Sequence, residues 1–320
     1  MPTMKAIVQD RYGTPDLLRL EDVEIPVPDA ASALVKVRSA SVNALDWRIL
    51  SGRPLFGRLI FGLTRPKRRI RGVDVSGEVV AVRKPDSRFK VGDAVFGLGS
   101  GSFAEYVAAD EGELTAKPNG VSFDDAATLG VAAFTALQAL RLPGPIRPGQ
   151  LVAILGAGSG VGTFAVQLAR SMGARVTAVT STENVELLRA IGADVVVDYR
   201  KENFPGRPDR YDLVLDISGL YSIGAMLGTL GQDGKLVIVG ARGGFGRFLS
   251  ASLRRRLLRQ PTHSFVAHAE VEDLAQLGQL VAQGKVKPVI DRVYSLPEVP
   301  AAMTRAALHR ARGKLVIHIA

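Results

Sequence analysis

The chain has no cysteine. That excludes disulfides and every thiolate metal site, and it fits a reducing, cytoplasmic compartment. Histidine is scarce as well. Four are present, at 263, 268, 309 and 318, with no metal-ligand spacing among them. No run of about 18 uninterrupted apolar residues occurs, so no membrane span is expected. The N-terminus runs straight into a strand-like segment, and no signal peptide is read there. Internal repeats and low-complexity stretches are also missing.

Acidic residues are outnumbered. Against 41 lysines and arginines stand 31 aspartates and glutamates, a net charge of +10. Two basic clusters contribute: Arg65-Pro-Lys-Arg-Arg-Ile-Arg71, and Arg254-Arg-Arg256 with Arg259. Leu249, Leu253 and Leu257 lie four apart beside the second, as in a basic amphipathic helix. Such clusters are either a solvated face or a surface for an anionic partner: nucleic acid, membrane or cofactor. No interleaved aromatic residues of the nucleic-acid kind accompany the second cluster.

At 320 residues, with 34 glycines and 47% apolar residues, the chain reads as two domains with sizeable cores. Its centre is Leu151-Val-Ala-Ile-Leu155, then Gly156, Ala157, Gly158, Ser159, Gly160, Val161 and Gly162, then Thr163-Phe-Ala-Val-Gln-Leu-Ala-Arg170. The first piece is a continuous apolar run, as in a strand buried on both faces. The last carries apolar residues at helical spacing. A strand, a glycine turn and a helix N-terminus together make a site for a dinucleotide pyrophosphate. No literal G-x-G-x-x-G is present, so the context matters. A second strand, Arg175-Val-Thr-Ala-Val179, follows at βαβ distance, and strand-like runs recur near 194–197, 213–217 and 236–239. Alternating strands and helices predict a parallel, doubly wound sheet.

Residues 1–120 have another texture: short β-like runs broken by proline and glycine. Ser122 is the expected N-cap of a helix running through Leu140, with Asp125 at its third position. The nucleotide domain is expected at about 121–265. The tail, about 266–320, is expected to return to the β domain with a helix near 270–283 and two strands.

Several segments together carry a family resemblance. They are Ser41-Val-Asn-Ala-Leu-Asp-Trp-Arg48, Gly72-Val-Asp-Val-Ser-Gly-Glu-Val79, Gly92-Asp-Ala-Val-Phe-Gly97, Gly101-Ser-Phe-Ala-Glu-Tyr-Val107, Ala133-Phe-Thr-Ala136, the central turn, Gly192-Ala-Asp-Val-Val-Val-Asp-Tyr199 and Arg312-Gly-Lys-Leu-Val316. In this order they resemble the medium-chain dehydrogenase/reductase superfamily, in its zinc-free quinone oxidoreductase (zeta-crystallin-like) branch, over nearly the whole chain. The resemblance implies a GroES-like β domain plus a Rossmann domain, an active site in the cleft between them, and a homodimer. Zinc-dependent members carry Gly-His-Glu where Gly72, Val73 and Asp74 stand here, and a cysteine near position 46. No metal is therefore expected. Short-chain dehydrogenases are a poorer match: none of the six tyrosines has a lysine four residues on.

The resemblance further implies that Asn43, Asp46 and Thr135 lie near the nicotinamide and substrate. Asn43 and Arg48 are candidates to meet a substrate oxygen, and Asp46 is more naturally a structural partner than an acid. Lys314 matches a family lysine near the cofactor, and Tyr199 a tyrosine beside the adenosine phosphate. An NAD site needs an acidic residue after the second strand. Here Thr180, Ser181 and Thr182 stand there, which favours NADPH over NADH, although Glu183 would repel a 2′-phosphate if it pointed inward. Without a Lewis acid, the fitting hydride acceptors are quinones and α,β-unsaturated carbonyls, whose arriving charge delocalises onto oxygen. Two other readings stay open: a zinc-free carbonyl or alcohol oxidoreductase, and a low-activity nucleotide-binding protein acting through its basic surface on RNA or anionic lipid.

Overall fold

The computed structural model describes residues 2–53, 55–239, 246, 250–253, 256 and 259–319. Two compact units emerge. One holds Met1–Phe134, Ala269–Gly284 and Pro288–Ala320; the other holds Thr135–His268 and Lys285–Lys287.

The first unit is built on β-strands. An antiparallel pair, β1 (Thr3–Val8) and β2 (Arg19–Glu24), precedes the long β3 (Ser32–Val42). β3 alternates buried and half-buried positions, then is buried throughout from Ser39 to Val42. Helix α1 (Ala44–Ser51) and a short α2 (Arg58–Phe61) follow. Next come β4 (Asp74–Val82), β5 (Ala94–Leu98), β6 (Tyr106–Asp110) and β7 (Leu114–Ala116).

Ser122 does cap a helix, α3 (Phe123–Ala127), its hydroxyl accepting from Asp125 N. That helix stops short of the expected Leu140. Gly130 leaves helical geometry (φ −63°, ψ −128°) inside a π-type turn, Leu129–Ala133, before α4 (Phe134–Arg141) resumes. The cause is tertiary. A Cβ on Gly130 would lie 2.3 Å from Asp74 Oδ1, and the next amide, Val131 N, donates to that oxygen at 2.9 Å. The carboxylate takes a backbone donor that a regular helix would keep for itself.

In the second unit, β8 (Leu151–Leu155) leads to α5 (Gly160–Ser171), β9 (Arg175–Thr180), α6 (Val185–Ala190), β10 (Val195–Asp198), β11 (Tyr211–Asp216), α7 (Ile223–Leu227), β12 (Leu230–Val239) and β13 (Thr262–Phe265). The strands form one parallel sheet in the order β10-β9-β8-β11-β12-β13. Strand order reverses between β8 and β11, which is where such sheets bind nucleotides. Val152, Ile154, Val214 and Leu236 are fully buried, as parallel strands covered on both faces require.

The chain then returns to the first unit through α8 (Val271–Ala282), β14 (Ile290–Ser295), α9 (Val299–Ala307) and β15 (Lys314–His318). The larger sheet of that unit runs β14-β15-β3-β4-β5-β7, with β6 also paired to β3. Its core gathers Val35, Val37, Val75, Val95, Leu315 and Ile317. The fold is thus a GroES-like β domain plus a Rossmann-type parallel-sheet domain. Among the described residues, no helix is long and apolar enough to cross a membrane. Of the second basic cluster, residues 254 and 255 lie outside the described residues, as do Leu249 and Leu257.

Candidate active site

In the first unit, sheet register assembles a buried charge cluster. Antiparallel pairing sets Ser41 of β3 opposite Asp74 of β4, and Val42 opposite Leu315 of β15. Asn43 and Lys314, the neighbours of that second pair, therefore meet. Lys314 Nζ donates to Asn43 Oδ1 at 2.6 Å and to Val42 O at 3.3 Å, and lies 3.4 Å from Asp74 Oδ2. Asp74 Oδ2 also accepts from Ser41 Oγ at 2.6 Å and Asn43 Nδ2 at 2.8 Å. Lys314 is 2% exposed and Asp74 not at all. Burial pushes the Lys314 pKa down, while Asp74 and Asp46 oppose the shift.

Asp46, at the third position of α1, reaches back to accept from Asn43 N at 2.7 Å. It is buried, and desolvation outweighs that hydrogen bond, raising its pKa to about 7. Arg71 is buried nearby, its guanidinium lowered to about 10 by burial, with its Nε lacking a partner among the described residues. Arg48, two residues beyond Asp46, is half-buried. Thr135 is half-buried in α4, which belongs mainly to the second unit.

The glycine turn sits at the strand-order reversal. Gly156 has φ +82°, the left-handed region, and a Cβ there would touch Ser218 just past β11 at 3.2 Å. Gly156 N and Ala157 N donate to Val179 O, tying the turn to β9. Gly162 lets α5 close on the turn, since a Cβ there would lie 2.4 Å from Gly156 O. Ser159 is the N-cap of α5 and accepts from Gly162 N at 3.1 Å. The amides of Gly160 and Val161 open the helix with no partner one turn back. A pyrophosphate fits this end: donors, dipole and a small-residue approach coincide. A Cβ on Gly158 would meet Asn184 Nδ2 at 2.6 Å, so Asn184 covers that flank.

Thr180 ends β9 buried, and Tyr199 N donates to its carbonyl at 3.0 Å. The Thr182 hydroxyl donates to Asp198 Oδ2 at 2.7 Å, and Asn184 Nδ2 to Ser181 Oγ at 3.3 Å. Glu183 is paired with Arg200. Its own amide, the Ser181 hydroxyl and Arg200 hold the carboxyl down at about 2. Beside the pair is an open hollow of about 340 Å³ lined by Tyr199, Arg200, Lys201, Glu202, Asn203 and Tyr221, among others. Arg200 is a residue that sequence reasoning missed. Its only signal was an opposite charge one residue past Tyr199, and that carries meaning only once β9 and β10 pair Thr180 with Asp198.

The donor set of the first unit does not fit zinc. Both Asp46 and Asp74 are already engaged by protein donors, an ammonium occupies their midst, and Val73 offers no ligand. Among the described residues, no three His, Cys, Asp or Glu side chains come together as a metal group.

Comparison with known proteins agrees with this architecture. A family model described as alcohol dehydrogenase GroES-like domain matches residues 29–119, and one described as zinc-binding dehydrogenase matches residues 191–317. A zinc-type alcohol dehydrogenase-like protein of Schizosaccharomyces pombe is 33% identical over 98% of this chain and 96% of its own. The 2-methylene-furan-3-one reductase of Solanum lycopersicum is 34% identical over 98% of this chain and 79% of its own. Among solved structures, the quinone oxidoreductase from Coxiella burnetii aligns with a TM-score of 0.89 at 30% identity, covering 100% of both chains.

Proposed function

The chain belongs to the medium-chain dehydrogenase/reductase superfamily, and on that premise we propose that it is an NADPH-dependent, zinc-independent oxidoreductase of quinones or α,β-unsaturated carbonyls. The observation that carries this reading is the Lys314–Asn43–Asp74 cluster. It engages the Asp74 carboxylate with an ammonium and an amide, which supports a reaction without a Lewis acid on acceptors whose conjugation spreads the incoming charge. The names of the similar reductases, for a methylene-furanone and for quinones, support the same substrate class.

When bound, the reduced nicotinamide supplies the hydride. The chain holds and orients it. The α5 N-terminus takes the pyrophosphate, Ser181, Tyr199 and Arg200 take the adenosine 2′-phosphate, and Glu183 is neutralised by Arg200 rather than repelling it. Thr135 and Arg48 are assigned to the nicotinamide and substrate oxygen, where a hydroxyl and a guanidinium stabilise developing negative charge. Asn43 acts from inside: both ends of its amide are held by Lys314 and Asp74, so it fixes the loop entering α1. Solvent protonates the product, because no exposed acid is required.

The test is absorbance-monitored oxidation of NADPH and NADH against an ortho-quinone, a para-quinone, an enal and a saturated aldehyde, each with and without chelator. Chelator-insensitive turnover of a quinone or the enal, faster with NADPH, is expected. Turnover confined to the saturated aldehyde, or abolished by the chelator, would overturn the reading.

A further inference from the structure

Three leucines of the first unit stand out in solvent within nine residues. Leu55 is 68% exposed, Leu59 70% and Leu63 68%. Single exposed leucines are ordinary, but three in one stretch of nine residues are not. Their segment is not loosely placed. Tyr12 Oη donates to Gly62 O at 2.6 Å, and Arg58 lies 4.5 Å over the Tyr12 ring while its Nε donates to Gly52 O at 3.1 Å. Arg58 and Gly62 are thus both fastened to Tyr12, and the leucines are exposed.

The stretch of sequence that carries them has charge of one sign. From Trp47 to Val73 there are eight arginines and lysines and no carboxylate. Arg69 is paired with Asp10 and Glu21, and Arg71 is buried. Arg53, Arg65, Lys67 and Arg68 are exposed, and none is in an ion pair among the described residues, although Arg68 acts on the Glu113 carboxylate.

We propose that Leu55, Leu59 and Leu63, with Arg53, Arg65, Lys67 and Arg68, seat this protein on an anionic phospholipid surface, the leucines entering the acyl boundary and the four cations lying at the headgroups. Apolar insertion and a basic fringe are the two signals that together give reversible peripheral binding. No helix long enough to span is described, so the protein lies on the bilayer. A nucleic acid would use the cations but gain nothing from the leucines, which have no aromatic face for a base to stack on.

The experiment is co-sedimentation of the full chain with vesicles of phosphatidylcholine alone and of phosphatidylcholine mixed with phosphatidylglycerol. Binding to the mixed vesicles is expected to exceed binding to the neutral ones by about tenfold at low salt, and to fall as salt rises. The L55S/L59S/L63S variant is expected to bind about tenfold more weakly or worse. The R65S/K67S/R68S variant is expected to lose the salt dependence. On the wild-type chain, which needs no variant to fold, mixed vesicles are expected to protect the bonds after Lys67 and Arg68 from trypsin. Absence of binding and of protection would overturn the proposal, as would a leucine variant that binds like wild type. So would a dimer that the leucine variant abolishes in a protein that ignores vesicles, or RNA binding that survives loss of the leucines.

Discussion

Lys314 and Asn43, separated by 271 positions in the chain, meet at 2.6 Å through Nζ and Oδ1. An ammonium has no acceptor, so it turns the amide oxygen toward itself and the amide nitrogen toward Asp74. The three groups form one buried unit. Removing the ammonium alone leaves a carboxylate without charge compensation. We expect Lys314→Met to cost about 3–5 kcal/mol in urea melts. The double variant Lys314→Met, Asp74→Asn should recover a large part of that. A double variant as unstable as the sum of the singles would show that the two do not act as a unit.

Asp46 makes stability fall as pH rises. Its folded pKa of about 7 exceeds an unfolded value of about 3.9, so between those values the folded state binds the extra proton. The contribution is present below about pH 4 and is lost as pH rises toward 7. Asp46→Asn keeps an acceptor for Asn43 N and removes the titration. The variant should therefore gain on wild type by up to the order of 4 kcal/mol at pH 8, and the gain should shrink toward pH 4. A difference independent of pH would contradict a protonated Asp46.

Gly130 is where helix and carboxylate compete for space. Gly130→Ala places a Cβ on Asp74 Oδ1, which is held on the other side by Val131 N. Overpacking of this kind costs about 1–3 kcal/mol. The thermal midpoint should drop accordingly, and Gly130→Ala combined with Asp74→Ala should lose less than the two changes summed. Full additivity would remove the steric explanation.

Cofactor choice is tested at the outer end of the parallel sheet. Arg200→Ala removes a cation from the hollow beside Tyr199 and frees Glu183 to repel. The KM for NADPH should rise about tenfold or more while that for NADH stays near wild type. Ser181→Asp should act in the same direction. Equal effects of either change on the two cofactors would place the 2′-phosphate elsewhere.

Much of this protein was written in local order. The buried run of β8, the left-handed turn at Gly156 and the apolar stripe of α5 lie within twenty residues, so periodicity and turn chemistry declared them without tertiary help. The Ser122 cap was legible for the same reason. The end of the α3 helix was not, because residues 128–135 keep helical composition and only Asp74, from a distant strand, draws the amide of Val131 out of the ladder.

What Asn43, Thr180 and Lys314 do was decided by register, whereas Asp46 makes a local cap on Asn43 N. Residue type and family likeness marked them as special, but not whether their polar groups point outward or inward. Strand pairing of Ser41 with Asp74 and of Val42 with Leu315 closed the Asn43–Asp74–Lys314 cluster. Parallel pairing of Thr180 with Asp198 brought Arg200 to Glu183 and turned an unfavourable carboxylate into half of an ion pair. Sequence alone set the nucleotide turn, because its donors are backbone groups placed by adjacent residues. Tertiary structure set the Lys314 charge, because the energy of a buried charge depends on its partners, and those of Lys314 lie hundreds of positions away.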